Sequence, residues 1–188
     1  MKIAICGSGE GKLDPSINIY AKEIGKEIAK NKCILLTGGC GGLPHEAACG
    51  AEEVNGKIIV YSPAINLESH IKDFNFKEYK GTEYQFMPEN YKDDKLLSLQ
   101  VRSLVMVYES NFVIVLGGQV GTMGEFNEAY TFGRNIGVLE KSGGITNKLI
   151  PSYLKEIKKS RGSKVIFEPN PNLLVIKMIE MEKNELHR

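Results

Sequence analysis

The chain has 188 residues, of which 25% are charged, and a formal net charge of +1. That balance argues against a protein held to nucleic acid mainly by charge, which needs a basic excess. The lack of tryptophan and an aromatic content of 8% argue against an interface built on stacked aromatics.

Length predicts one domain over 1–188. The apolar runs are of strand length, well short of the ~20 residues of a membrane helix, so no membrane partner is expected. The four cysteines form no C-x-x-C pair. They read as reduced thiols of a cytoplasmic protein. The three histidines lack metal-ligand spacing, and no zinc site is expected.

In chain order, "KIAIC" (2–6) reads as a first strand rather than a signal peptide, because its apolar run is too short. "INIYAKEIGKEIAKN" (17–31) carries apolar residues at helical spacing. "CILLT" (33–37) is a second strand, the alanine-rich 43–55 a helix, and "KIIVYS" (57–62) a third strand. Residues 63–84 lack periodicity and read as an excursion before a short strand at 84–88. Residues 91–110 predict a long helix, with Asp93 and Asp94 suited to its positive first turn. This helix is apolar nearly all round, which predicts burial by the sheet on one side and by a second subunit on the other, hence a homodimer. Strands at 111–116, 135–140 and 164–169 and helices at 122–134, 148–160 and 172–188 complete the pattern. Alternation of this kind predicts an α/β, Rossmann-like open sheet of six to seven mainly parallel strands with helices on both faces.

The glycines fall where chemistry would be placed. Strand one ends in Gly7-Ser8-Gly9, strand two in Thr37-Gly38-Gly39-Cys40-Gly41-Gly42, and strand five in Gly117-Gly118-Gln119-Val120-Gly121-Thr122. In a parallel sheet these turns share the carboxyl edge, where ligands of open α/β sheets bind. Glycine admits close backbone approach, and helix N-termini offer free N–H groups and a positive dipole to an anion. A phosphorylated, nucleotide-like ligand is the expectation. Two familiar phosphate motifs fail on inspection. A P-loop would need glycine at Cys6 and Ser or Thr at Leu13, and the dinucleotide fingerprint meets Lys12 at its third glycine.

Glu125 lies three residues after Thr122, a spacing that by itself also fits a helix capping box. Arg102 sits among Val101, Leu104, Val105 and Met106, where a buried guanidinium needs a carboxylate or phosphate partner; the alternative is that it snorkels to the surface or pairs structurally. "GGQVGTMGE" with a preceding-helix arginine in "LQVRSLVM", and a second turn "GGCGGLPHEAACGA", resemble the Lonely-guy family of nucleotide-binding proteins, often mislabelled lysine decarboxylases. The resemblance spans roughly residues 1–140. Its enzymes read Pro-Gly-Gly-x-Gly-Thr, whereas here Leu116 replaces the proline and one residue is added between Gly118 and Gly121. Ser103 replaces a lysine that commonly follows the arginine. The longer turn is similar to the branch that includes molybdenum-cofactor carrier proteins.

The resemblance implies a nucleoside 5′-monophosphate phosphoribohydrolase, cleaving an N-glycosidic bond to free base and ribose 5-phosphate. Gly118, Gly121 and Thr122 would hold the phosphate, Glu125 would stabilise the oxocarbenium-like transition state, and Arg102 would orient Glu125 or the leaving base. The alternative is a non-catalytic carrier of a nucleotide or phosphorylated pterin built on the same turns. Neither needs a resident cofactor or metal. No pattern marks a pyridoxal-phosphate lysine.

Overall fold

Seven strands form one sheet in the order β4-β3-β2-β1-β5-β6-β7 in a computed structural model that describes residues 1–9, 14–79, 82–157 and 161–186. The strands are β1 (Lys2–Gly7), β2 (Ile34–Thr37), β3 (Lys57–Tyr61), β4 (Glu83–Gln85), β5 (Phe112–Leu116), β6 (Asn135–Leu139) and β7 (Val165–Glu168). Every pairing is parallel. The central strands β1 and β5 are apolar through their interiors because both of their faces are covered.

Helices α1 (Pro15–Lys30), α2 (Gly42–Glu53) and α7 (Pro171–Leu186) cover one face, packing Ile24, Ile28, Leu43, Ala47, Leu174 and Met178. Helices α4 (Lys95–Glu109), α5 (Val120–Thr131) and α6 (Leu149–Glu156) cover the other, with Met106, Val107, Phe126, Ala129 and Ile150. The expected Rossmann-like α/β architecture is therefore present. From β1 the chain runs outward through β2, β3 and β4, then returns to β5 on the opposite side of β1. Strand order reverses between β1 and β5, and such a switch point leaves a crevice at the carboxyl ends of the two strands.

Several boundaries differ from the sequence reading for local reasons. Helix α1 starts at Pro15, a residue suited to a first turn, with Asp14 accepting a hydrogen bond from the Ser16 N–H at 2.9 Å. Helix α4 starts at Lys95 rather than 91, because the Asp94 carboxylate caps it by accepting from the Leu97 N–H at 2.9 Å. The excursion 63–84 contains a short helix, α3 (Leu67–Lys72), capped by Asn66. Pro151 lies in the first turn of α6, where its missing N–H removes no helical bond. Gly11, Lys12 and Leu13, the end of the 148–160 helix and His187 lie outside the described residues. No helix among the described residues is long and apolar enough to cross a membrane.

Candidate functional site

The crevice is a cavity of about 580 Å³, within the usual range for small-molecule sites. Gly7, Ser8 and Gly9 after β1, Gly38 and Gly41 after β2, and Gln119, Gly121, Thr122 and Glu125 of the β5–α5 turn and helix all line it. Arg102 and Ser103 of α4 close one wall. Of the residues expected from sequence, Gly39, Gly42, Gly117 and Gly118 do not line this space. Gly117 donates its N–H to Ser142 Oγ at 2.9 Å, and the Gly118 carbonyl accepts from the Ile145 N–H at 3.1 Å. That pair holds the turn against the 142–146 loop, with φ of +55° at Gly117 and +85° at Gly118.

Helix α5 begins two residues earlier than the sequence suggested. Gln119 is its N-cap and Thr122 its third residue. The Met123 N–H donates to the Gln119 carbonyl at 2.9 Å. This leaves the N–H groups of Val120, Gly121 and Thr122 without partners inside the helix, at its positive end. A capping box between Thr122 and Glu125 is therefore not built. Glu125 instead reaches toward α4 and β1, accepting a hydrogen bond from Ser103 Oγ at 3.2 Å and one from the Cys6 thiol. Ser103, which stands where the Lonely-guy pattern commonly has lysine, is thus one of the two donors to the carboxylate.

Arg102 is only 7% exposed. Its guanidinium lies against the β2 turn, where a Cβ at Gly38 would overlap Nη1. Among the described residues it forms no ion pair within 4.0 Å, and its buried Nε has no hydrogen-bond partner. A buried guanidinium with bonds unmade is costly to keep, and it faces the cavity beside the free N–H groups of α5.

Two carboxylates lie near it. Burial pushes the Glu125 carboxyl above its ordinary range, against the opposing pull of Arg102 and the hydrogen bonds from Ser103 and Cys6. Glu125 is half-buried as a residue, but its carboxylate points inward to the Cys6 thiol. Glu128, one turn further along α5, is pushed up to about 7, first by desolvation and then by the Glu125 charge, and its Oε2 has no partner. Burial and the neighbouring Glu125 raise the Cys6 thiol, so it acts as a neutral donor. The arrangement offers one unpaired cation and a helix N-terminus to an anion, with a largely desolvated carboxylate pair below them.

The rest of the lining includes residues sequence reasoning did not single out: Asp73, Phe74 and Phe76 after α3, and Lys95, Leu99 and Gln100 in the first half of α4. Lys95 Nζ donates to the Asp73 carbonyl at 2.9 Å and stands 5.4 Å above the Phe74 ring. Glu128 could have been found, since it lies three residues after Glu125 and shares its helix face. His45 does not line the cavity and instead pairs with the Tyr79 hydroxyl at 2.7 Å. A second hollow of about 630 Å³ lies against Val120, Met123, Ile145, Leu149 and Tyr153. It is the larger of the two, but its walls are mostly apolar and carry neither carboxylate nor cation, whereas the crevice carries both.

Comparison with solved structures gives the same architecture across nearly the whole chain. The protein is similar to the crystal structure of TM1055, with 21% identity, a TM-score of 0.75, and coverage of 96% of this chain and 98% of that one. It is similar to a molybdenum cofactor binding protein from Rippkaea orientalis, with 22% identity, a TM-score of 0.70, and coverage of 96% and 95%. It is also similar to the molybdenum cofactor carrier protein of Chlamydomonas reinhardtii, with 20% identity, a TM-score of 0.68, and coverage of 97% and 98%. Identities this low establish the fold. The family is fixed by a separate match, in which the model described as the SLOG cluster4 family covers residues 1–175. With all three glycine turns, Arg102 and Glu125 inside that span, the protein belongs to the SLOG cluster4 family.

Proposed function

We propose that the protein binds and carries a phosphorylated small molecule, a nucleoside monophosphate or a phosphorylated pterin of the molybdenum-cofactor type, without cleaving it. The observation that carries this reading is Arg102. Its guanidinium is buried, unpaired among the described residues and turned toward a cavity whose other side is the N-terminus of α5. A phosphate seated there would take charge-assisted bonds from Arg102 and backbone bonds from Gly121 and Thr122. The solved structures of a molybdenum-cofactor binding protein and a carrier protein that share this fold lend the carrier reading further support.

Phosphoribohydrolase chemistry, implied by the resemblance to the Lonely-guy family, is the second reading, because Glu125 lines the same cavity. Its environment favours binding over cleavage. A carboxylate that stabilises an oxocarbenium ion must be ionised, and burial works against ionisation here. The turn also carries Leu116 and the additional residue in place of the enzymes' Pro-Gly-Gly-x-Gly-Thr.

Incubation with AMP, GMP, CMP and UMP separates the two. Saturable binding with no free base released supports the carrier. Release that Glu125→Ala lowers by tenfold or more establishes the hydrolase and overturns the proposal. Arg102→Met should weaken binding of any phosphate monoester by at least about tenfold, the scale of one lost charge-assisted hydrogen bond.

A further inference from the structure

Arg102 and the α5 N-terminus account for a bound anion but not for the two carboxylates beside them. Glu125 and Glu128 stand three residues apart on α5, a spacing that puts both on one helix face. Among the described residues neither forms an ion pair within 4.0 Å. Glu125 takes a hydrogen bond from Ser103 Oγ at 3.2 Å and one from the Cys6 thiol, while the buried Oε2 of Glu128 has no partner. The groups that act on the pair come from three elements. Helix α4 supplies Ser103 and Arg102, the cation that acts on both carboxylates; β1 supplies Cys6; on α5 each carboxylate acts on the other. Strands β5 and β6 carry no titratable side chain, and the Tyr153 hydroxyl of α6 is turned away to donate to Asn127 Oδ1 at 2.8 Å. Two ionised carboxylates and a single guanidinium would leave one negative charge uncompensated in a desolvated place. A proton on either carboxylate removes that excess and the like-charge repulsion with it.

We propose that Glu125 and Glu128 hold a single proton between them and that this proton is linked to the ligand, so that an anion at Arg102 is held more tightly at low pH and released as pH rises. The linkage rests on the phosphate-site reading of Arg102. Without ligand, the guanidinium charge opposes protonation of both carboxylates. A phosphate on Arg102 offsets that charge and adds its own, so the pair then binds its proton more tightly. Linkage is reciprocal, and a ligand that tightens the proton is itself tightened by it. Desolvation and the Glu125 charge push the Glu128 carboxyl up to about 7, so the exchange falls near neutral pH.

Calorimetric titration with two phosphate monoesters, AMP and ribose 5-phosphate, tests it. Parent affinity should fall by roughly threefold or more between about pH 7 and about pH 8.5, within the tenfold per pH unit that one linked proton allows. Phosphate monoesters lose their own second proton near about pH 6, so the fall does not come from the ligand. Glu128→Gln fixes the neutral form. It should show no such fall and should bind more tightly than the parent at the alkaline end, a gain that a folding defect does not give. Repeating the titration in buffers of unlike ionisation enthalpy should show proton uptake by the parent and less by the variant. Thermal melts without ligand give a separate readout. The Glu128 carboxyl lies above its ordinary 4.5 in the folded protein, so its stabilising effect is full below that value and is lost as pH rises through about 7. The parent should lose melting temperature across that window, and Glu128→Gln should lose less. Equal pH dependence of binding in parent and variant overturns the linkage, and equal pH dependence of the melts overturns the shared proton. Absence of binding by both monoesters at every pH overturns the phosphate-site reading and the linkage with it, whatever the melts give.

Discussion

Gly38 and Arg102 are far apart in sequence, yet each explains the other. The guanidinium occupies the space a side chain at Gly38 would fill, and Gly38 does not have the positive φ that would by itself demand glycine. Its glycine is therefore set by the arginine. Gly38→Ala should destabilise the folded protein by up to about 1 kcal/mol, the low end for overpacking, because what it meets is the end of a flexible side chain that can shift. The same change made together with Arg102→Ala should cost little, since the obstruction is gone. A double-mutant cycle read by denaturant unfolding checks this. Additive effects would show that the two residues do not meet. The same pair shows why residue-scale features resist sequence reading. Arg102 is visible as a cation in an apolar run, but what it lies against depends on the folding of a distant turn.

At the scale of elements, the first turn of α5 does two tasks with adjacent glycines. Gly118 takes φ of +85° with Thr122 packed where its side chain would go, so it belongs to the architecture of the turn. Gly121 is helical, and a Cβ there would meet nothing within 4 Å, yet it lines the cavity. Glycine in a helix costs up to about 1 kcal/mol relative to alanine, and no packing contact explains that cost at Gly121. Gly121→Ala should therefore raise thermal stability modestly while weakening phosphate-ligand affinity several-fold. Gly118→Ala should lower stability. Calorimetry and ligand titration on the two variants give both readouts, and a Gly121→Ala protein that binds as tightly as the parent removes Gly121 from the contact surface. The strand-to-turn-to-helix rhythm was readable because buried parallel strands are continuous apolar runs and glycine marks their ends. The cap at Gln119 was not, since it depends on backbone angles rather than on a capping side chain. Phe74 and Phe76 were hidden for a related reason. They sit in an aperiodic stretch, and contacts with His70 and Lys95 from other segments hold them in place.

At the scale of the whole molecule, α4 has two unlike faces. Its inner face buries Ser98, Arg102, Met106 and Val107, so the sheet-facing half of the sequence expectation is met. On its outer face Leu97, Leu104 and Tyr108 are 48%, 42% and 58% exposed. Phe132 extends this strip from the end of α5, its ring edge-on to Tyr108 at 5.3 Å. Arg134 closes the end of the strip, 5.7 Å from the centre of the Tyr108 ring. Leu97, Leu104 and Tyr108 recur at the spacing of one helix stripe, a pattern that lets two such helices pack against each other. We therefore expect a homodimer formed across α4. The same helix carries Arg102 on its inner side, so pairing would brace the wall of the ligand cavity, and dimer loss should loosen ligand binding as well. Leu104→Asp puts a charge in the centre of the strip and should yield a monomer at concentrations where the parent protein is a dimer. Its ligand affinity should fall although it touches no ligand. Light scattering at tens of micromolar, followed by titration of the same samples, measures both effects. A parent protein that scatters with the mass of one chain refutes the dimer, and a monomeric variant with unchanged affinity shows that α4 holds Arg102 in place without help from a partner.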